Sequence, residues 1–129
     1  MASSFTVTKI VDGSRETTIK VDITGDTTSE LTLAKIFDVT QYANKGVNKR
    51  IRKLQYCLNG FSGQLYWDAT AATPLATMEV SHYSEPDFRE IGYVKNANMA
   101  GRTGCILLST HGLTAALTGY IILFIESRD

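Results

Sequence analysis

The sequence contains few of the residues that a covalent framework or a metal site requires. Among its 129 residues there are two cysteines, Cys57 and Cys105, and two histidines. Two cysteines are too few for a disulfide framework, and without a second pair or a nearby histidine they do not complete a metal site. Because both lie in apolar, strand-like segments, we expect buried free thiols that behave as small hydrophobic residues rather than a disulfide bridge.

Long hydrophobic runs and a net charge are also absent. The longest unbroken apolar run covers residues 120–125, far short of the roughly 20 residues of a membrane-spanning helix. The first residues, MASSFTVTK, lack the basic and apolar segments of a signal peptide. The 13 basic and 13 acidic residues cancel, which removes the overall attraction to nucleic acid or to an anionic membrane. We therefore expect neither as a partner.

Signatures of catalysis are missing as well. The segment from Gly60 to Gly63 has the wrong spacing for a nucleophile elbow, and neither a phosphate-binding glycine loop nor a His-Glu-x-x-His motif occurs. Nothing near His82 or His111 in the sequence positions either as a general base. The acidic segment 85–90 lacks the glycine of a calcium loop. We predict no enzyme, no metal and no cofactor.

Alternation of apolar and polar residues dominates what is present. In residues 17–24, TTIKVDIT, the apolar residues Ile19, Val21 and Ile23 share one face of a predicted strand. Further strand-like segments are 4–11, 31–39, 49–58, 63–69, 75–82, 104–110 and 117–127. Turn residues at 12–14 and 24–26 predict hairpins. A short helix over 29–36 or 111–117 is the one helical alternative.

This spacing of strands and turns predicts the fold class. About eight short strands at intervals of roughly ten residues are typical of an all-β fold, either an antiparallel β-sandwich or a jelly roll. The length corresponds to one domain over residues 1–129.

The last predicted strand is apolar on both faces. Its residues Tyr120, Ile122 and Phe124 alternate with Ile121, Leu123 and Ile125. Such a strand is either central and covered on both sides by its own chain, or covered by a partner chain. Tyr120, Ile122 and Phe124 are therefore candidate partner contacts.

A basic segment, KGVNKRIRK, is the strongest charge feature of the chain. It places five cations within nine residues: Lys45, Lys49, Arg50, Arg52 and Lys53. Strict alternation puts Arg50 and Arg52 on one face and Lys53 on the other, and no aromatic residues alternate with the charges for base stacking. We therefore prefer protection of a strand edge, or contact with an acidic partner surface, over nucleic-acid binding.

The only tryptophan, Trp67, precedes an acidic residue in the segment LYWDATAAT. A propeller blade is excluded because the chain has no repeat of the required period. An exposed Trp67 would favour a carbohydrate- or nucleic-acid-binding module, with the indole as a stacking platform. A buried Trp67 would favour a structural protein.

The order of several motifs resembles that of a known group of proteins. Phe-Thr-Val-Thr at the start is followed by Ile-Thr-Gly-Asp, Phe-Asp-Val and the basic segment, then by Trp67-Asp68-Ala69-Thr70, Asp87-Phe88-Arg89, a glycine-containing segment at 98–104 and the long apolar strand. Together these motifs, from about residue 4 to residue 126, resemble small β-rich virion structural proteins of tailed bacteriophages.

The resemblance implies a capsid decoration or cement protein that binds the major capsid protein or other virion proteins. Such a protein acts as a homo-oligomer or array, is made in the host cytoplasm and resides in the virion; a neck, tail or fibre component is the alternative. The resemblance further implies that Trp67 lies in the core. Asp68 would begin a turn, with its carboxylate capping backbone N–H groups, and Arg89 would be its ion-pair partner.

Overall fold

Antiparallel β-strands form nearly all of the regular structure. The computed structural model describes residues 4–25, 30–70, 72–78, 83–88, 94–95, 100–114 and 117–127. Within them lie ten strands and one short helix: β1 (Ser4–Asp12), β2 (Glu16–Thr24), β3 (Ala34–Phe37), a 3-10 helix (Val39–Gln41), β4 (Lys49–Leu58), β5 (Ser62–Trp67), β6 (Thr73–Met78), β7 (Tyr83–Ser84), β8 (Val94–Lys95), β9 (Ile106–His111) and β10 (Thr118–Ser127). In the described part of the chain, no helix has the length and apolar composition needed to cross a membrane.

The strands assemble into two antiparallel sheets. The large sheet has the order β1–β2–β10–β4–β7, and β8 also pairs with β4. The small sheet has the order β3–β9–β5–β6. The apolar strand β10 is therefore central in the large sheet, because it pairs with β2 on one side and with β4 on the other.

The two sheets pack face to face around a single core. In β2 the alternation places Ile19, Val21 and Ile23 inward, and all are at most 1% exposed. In the small sheet Leu65 and Trp67 point toward them and belong to the same cluster of buried residues. Burial of alternate apolar residues from both sheets is what stabilises a sandwich of this kind. The predicted all-β antiparallel sandwich is confirmed.

The two predicted hairpins have different outcomes. β1 and β2 form the hairpin predicted at residues 12–14, where the N–H of Gly13 donates to the carbonyl of Glu16 at 2.9 Å. The hairpin predicted at residues 24–26 is wrong, because β3 lies in the small sheet and the chain changes sheets after β2. Gly25 is needed there for close packing, since a Cβ atom would lie 1.9 Å from the carbonyl oxygen of Thr114.

The helix predicted as an alternative over 29–36 is wrong for the described residues, and the alternative over 111–117 includes residues 115–116, which lie outside them. Residues 34–37 form β3, and the short helix lies at residues 39–41 instead. Asp38 begins this helix, because its carboxylate accepts hydrogen bonds from the backbone N–H and the hydroxyl of Thr40 at 3.1 and 2.7 Å. These hydrogen bonds lower the pKa of Asp38. A single capping aspartate does not change the spacing of apolar residues. The predicted strand therefore extends over 31–39, past the start of the helix.

Candidate interaction face

An apolar stripe runs along the central strand on the outer face of the large sheet. On β10 the inward residues Ile121, Leu123 and Ile125 are at most 1% exposed. The alternate residues Tyr120, Ile122 and Phe124, called here the β10 stripe, point outward and are partly exposed. The strand is central in its sheet, as the first of the two predicted alternatives requires, but the described chain covers its outer face only in part. Its outer face is therefore a partly exposed apolar surface.

A β-bulge in β4 gathers cations beside this stripe. Phe124 pairs with Lys53 and Ile125 pairs with Ile51, so Arg52 is an extra residue in β4. Ile51 and Leu54 both point into the core, and Arg52 and Lys53 both lie on the outer side. The prediction that Lys53 lies on the opposite face from Arg52 is wrong, because strict alternation does not anticipate an inserted residue.

Lys49 is the cation of the basic segment that points inward. It is 1% exposed, and its ammonium donates to the carbonyl and side-chain oxygens of Asn44 at 3.1 and 3.2 Å and to the hydroxyl of Ser127 at 2.7 Å. These bonds join the start of β4 to the end of β10. Lys49 is thus a structural residue and does not belong among the predicted partner contacts.

The other predicted cations differ in how they are satisfied. The Nε and Nη2 atoms of Arg50 lie 2.9 and 2.7 Å from Oε1 of Glu126, and Nζ of Lys53 lies 3.6 Å from Oε1 of Glu85. Lys45 lies in the loop before β4, where it donates to the carbonyl of Tyr42 at 3.0 Å. Pairing of Arg50 and Lys53 lowers the net positive charge of β4, which disfavours a groove that tracks phosphates.

Cations also lie over the aromatic rings of the β10 stripe. The guanidinium of Arg52 is 5.2 Å and the ammonium of Lys53 is 6.0 Å from the centre of the Phe124 ring. Lys20, on the neighbouring strand β2, lies 5.6 Å from the centre of the Tyr120 ring. These distances are typical of cation–π contacts. The two predicted groups, the basic segment and the apolar strand, therefore meet on one surface.

A second bulge, in β1, extends this surface toward the sheet edge. Lys9 pairs with Ile19 and Val11 pairs with Thr18, so Ile10 is an extra residue in β1. Thr18 lies directly opposite Phe124, which puts Val11 in the row of the β10 stripe. Ile10 and Val11 are 54% and 44% exposed. We call the outward side chains of β1, β2, β10 and β4 the interaction face.

A hollow of about 560 Å³ lies at one end of the interaction face. Its walls are formed by Val11, Gly13, Arg15, Glu16, Arg50, Glu126 and Ser127. The walls combine one apolar side chain with two arginines and two glutamates. A partner side chain that enters this hollow meets Val11 and the Arg50–Glu126 ion pair, so the hollow suits a polar residue with an apolar stem.

Three edge strands of the sandwich carry features that block pairing with another strand. β1 has the bulge at Ile10, and β3 has a register shift between Lys35 and Phe37. β6 contains Pro74, which has no N–H to donate, and a register shift interrupts its pairing with β5. Bulges, lysines and prolines at edges protect sheets from edge-to-edge association. These three edges are therefore poorly suited to pairing with a further strand.

The two cysteines are free thiols in different environments. Cys105 is 3% exposed, as expected of a buried thiol. Cys57 is partly exposed on β4, directly opposite Tyr120, so the expectation that it is buried is wrong. Its position beside the β10 stripe makes Cys57 a native reporter for the interaction face.

The tryptophan motif lies on the small sheet, in the core. Trp67 is 2% exposed, which confirms its predicted place, and its indole N–H has no hydrogen-bond partner in the described part of the chain. The backbone N–H of Asp68 donates to the carbonyl of Cys105 at 3.1 Å, and the Asp68 carboxylate accepts from the hydroxyl of Thr103 at 2.9 Å. The predicted Asp68–Arg89 pair stays a prediction, because Arg89 lies outside the described residues.

Residues 87 and 88, from the Asp87-Phe88-Arg89 motif, support the bulge in β4. The backbone of Asp87 forms an isolated bridge with Lys53, and the N–H of Phe88 donates to the carbonyl of Arg52 at 2.9 Å. The Phe88 side chain is partly buried against the core. The role of residues 87 and 88 is therefore to hold the bulge that displays Arg52.

Sequence reasoning did not identify Glu30, which organises the connection between β9 and β10. Its carboxylate accepts hydrogen bonds from the Thr110 hydroxyl at 2.7 Å and from the N–H groups of Gly112 and Leu113 at 2.8 and 3.2 Å. Desolvation acts to raise the pKa of Glu30, but these hydrogen bonds and the nearby His111 together lower it below its ordinary value. The partners are about 80 residues away, so only an isolated acid is visible in the sequence.

The described residues hold no group of three or more histidine, cysteine or acidic side chains that could bind a metal ion.

No protein-family model and no curated protein sequence matches this chain. Comparison with solved structures gives weak similarities. The family 29 carbohydrate-binding module CBM29_1 of Piromyces equi is 13% identical, with 100% of this chain and 93% of that chain covered and a TM-score of 0.47.

Two further similarities are weaker in coverage or in score. The CBM22-1–GH10 modules of xylanase 10B from Clostridium thermocellum are 14% identical over 98% of this chain, which spans 25% of that chain, with a TM-score of 0.45. A cupin superfamily protein from Desulfitobacterium hafniense is 6% identical, with coverage of 100% and 82% and a TM-score of 0.37. At these scores the similarities carry no argument about ligand or activity.

Proposed function

We propose that this protein is a non-enzymatic structural protein of a phage virion that decorates the capsid by binding the major capsid protein. The observation that carries the proposal is the β10 stripe, a partly exposed apolar surface on the central strand of the large sheet. The order of sequence motifs supplies the virion context. The interaction face supplies the means of binding.

The interaction face combines the properties of a protein-binding surface. Its centre is aromatic and aliphatic, and long cationic side chains surround the rings of Tyr120 and Phe124. Tyrosine, phenylalanine and arginine are enriched in protein interfaces, where an apolar centre is surrounded by a polar rim. A single contact through this face is expected to have modest affinity. Repetition of the contact in an array over a shell multiplies the overall hold.

The position of Trp67 supports a structural role over a free ligand-binding module. A glycan or a nucleobase stacks on an accessible ring, and the indole of Trp67 is 2% exposed in the core. The ion pairs of Arg50 and Lys53 likewise leave less positive charge for a phosphate backbone. Decoration of the capsid is therefore preferred to a free carbohydrate- or nucleic-acid-binding module.

Co-sedimentation tests the proposal directly. The protein is mixed with expanded shells of the major capsid protein encoded by the same virus, and its own mass is measured by light scattering. We expect it to sediment with the shells at a fixed stoichiometry. A ring-sized oligomer that ignores shells would contradict decoration and favour a neck or tail role. A monomer that ignores shells would contradict both virion roles.

A matched pair of variants links the binding to the interaction face. Tyr120 and Tyr66 are both partly exposed and point outward, one from each sheet. We expect Tyr120→Ala to weaken shell binding at least about tenfold, because interface tyrosines are often binding hot spots. Tyr66→Ala should bind as the wild type does. Equal losses in both variants would contradict the use of the large sheet.

A further inference from the structure

Arg52 is the cation of β4 whose charge is least satisfied within the described chain. Its Nε atom lies 3.9 Å from Oε2 of Glu126, which is beyond hydrogen-bonding distance. The Nε atom is also inaccessible to solvent and has no hydrogen-bond partner among the described residues. Because a partner cannot reach the buried Nε atom, a contact with Arg52 must use its terminal Nη groups.

The carboxylate nearest to Arg52 is already engaged. Oε1 of Glu126 accepts from Arg50 through contacts of 2.9 and 2.7 Å. Lys53, which lies beside Arg52 after the bulge, has its own acidic neighbour in Glu85 at 3.6 Å. Arg52 therefore shares one carboxylate with a closer arginine, and within the described residues its terminal Nη groups have no hydrogen-bond partner.

The surroundings of Arg52 hold the guanidinium in place. The bulge carries the side chain to the outer face, and the carbonyl of Arg52 is fixed by the N–H of Phe88 at 2.9 Å. The guanidinium lies 5.2 Å from the centre of the Phe124 ring. A guanidinium that contacts an aromatic ring keeps the donors at its edge free for a planar acceptor. The side chain is 29% exposed, so a partner can reach it.

We propose that Arg52 binds a carboxylate of the partner protein end-on, through its two Nη groups, while an apolar side chain of the same partner segment contacts Phe124 and Val11. This inference rests on the proposed function and specifies the chemistry of its contact. A carboxylate is favoured over a nucleic-acid phosphate because a polyanion requires several unpaired cations in a row. Arg50 and Lys53 on either side are already paired.

Two substitutions of Arg52 and one control test this assignment. Arg52→Gln removes the charge, and Arg52→Lys keeps the charge but removes the two parallel donors. Lys35→Gln removes an exposed cation from the small sheet and serves as the control. Affinity for shells is measured by co-sedimentation at two salt concentrations. Thermal unfolding by circular dichroism checks that each variant is folded.

The expected results separate this inference from the proposed function. We expect Arg52→Gln to weaken shell binding at least about tenfold and to reduce its salt dependence, with incomplete recovery in Arg52→Lys and no change in Lys35→Gln. Wild-type binding with no effect of either Arg52 variant would overturn the carboxylate contact and leave decoration intact. Absence of wild-type binding would overturn decoration itself. Binding of a DNA duplex that Arg52→Gln abolishes would overturn the choice of a protein carboxylate.

Discussion

The outer faces of the two sheets differ in how their polar and apolar groups are satisfied. On the small sheet, the side chain of Gln64 donates to the carbonyls of Ala76 and Leu65 at 2.8 and 3.0 Å, and its oxygen accepts from Thr77. On the large sheet, the middle of the face is the β10 stripe, with cations over its rings. On the small sheet, the side chain of Gln64 is satisfied by neighbours within the sheet. The large sheet keeps an apolar surface that a partner can cover.

The largest effect is expected from a substitution on the inner face of the small sheet. Trp67 and Tyr66 are neighbours that point to opposite faces of β5. We expect Trp67→Ala to lower the free energy of unfolding by about 3–5 kcal/mol, because it opens a large cavity in the core. Tyr66→Ala should cost about 1 kcal/mol or less. Urea unfolding followed by circular dichroism measures both, and similar losses would contradict the assignment of inner and outer faces.

A charge placed on the β10 stripe should have the next largest effect. Ile122 lies between Lys20 and Gln55 on the neighbouring strands, so Ile122→Arg adds repulsion and removes apolar contact. We expect affinity for shells to fall at least about a hundredfold, or roughly 2.7 kcal/mol. Tyr66→Arg is the matched change on the small sheet and should bind normally. Binding by Ile122→Arg would place the contact elsewhere.

Two lysines of β4 allow the stability cost of a buried and of an outward-facing substitution to be compared. Lys49→Met keeps the aliphatic stem but removes the ammonium that donates to the Asn44 carbonyl and to the Ser127 hydroxyl. We expect it to lower the free energy of unfolding by about 2 kcal/mol. Lys53→Met, on the interaction face, should cost less than about 1 kcal/mol, since surface ion pairs contribute little. Denaturant midpoints compare the two, and the reverse order would contradict the bulge.

The smallest effect is expected at Glu30, where acid should weaken the β9–β10 connection. The folded state lowers the pKa of Glu30 below its ordinary value of 4.5. Its stabilising contribution is therefore complete above that ordinary value and is lost as the pH falls through the lower, folded pKa. We expect Glu30→Gln to cost less than about 1 kcal/mol at pH 7, because the carboxylate is largely exposed, and less at pH 3 than at pH 7. An equal cost at both pH values would contradict the hydrogen-bonded carboxylate.

The sequence predicts those parts of the fold that follow from a regular alternation of apolar and polar residues. Alternation in β2 identified the inward residues, because a strand buried on one face needs an apolar residue at every second position. In β10, which is apolar on both faces, alternation separated two sets of residues but did not show which set points inward. The chain crossing after Gly25 could not be predicted, since a glycine suits both a hairpin turn and a close approach to Thr114.

The interaction face could be predicted only in part, for a related reason. Arg52 and the β10 stripe were identified separately, as a charged run and as an apolar strand. Their meeting depends on the pairing of β4 with β10 and on an inserted residue at the bulge. Both are properties of strand register, which side-chain alternation constrains only where no residue is inserted.

The most direct test of the account is the reactivity of Cys57 on intact shells. The thiol lies beside Tyr120 on the interaction face, and Cys105 is buried and serves as an internal control. Free and shell-bound protein are treated briefly with a maleimide, and the modified sites are quantified by mass spectrometry. We expect Cys57 to react at least about tenfold more slowly when bound, with Cys105 unreactive in both states. Equal reactivity of Cys57 in fully bound protein would show that another surface makes the contact.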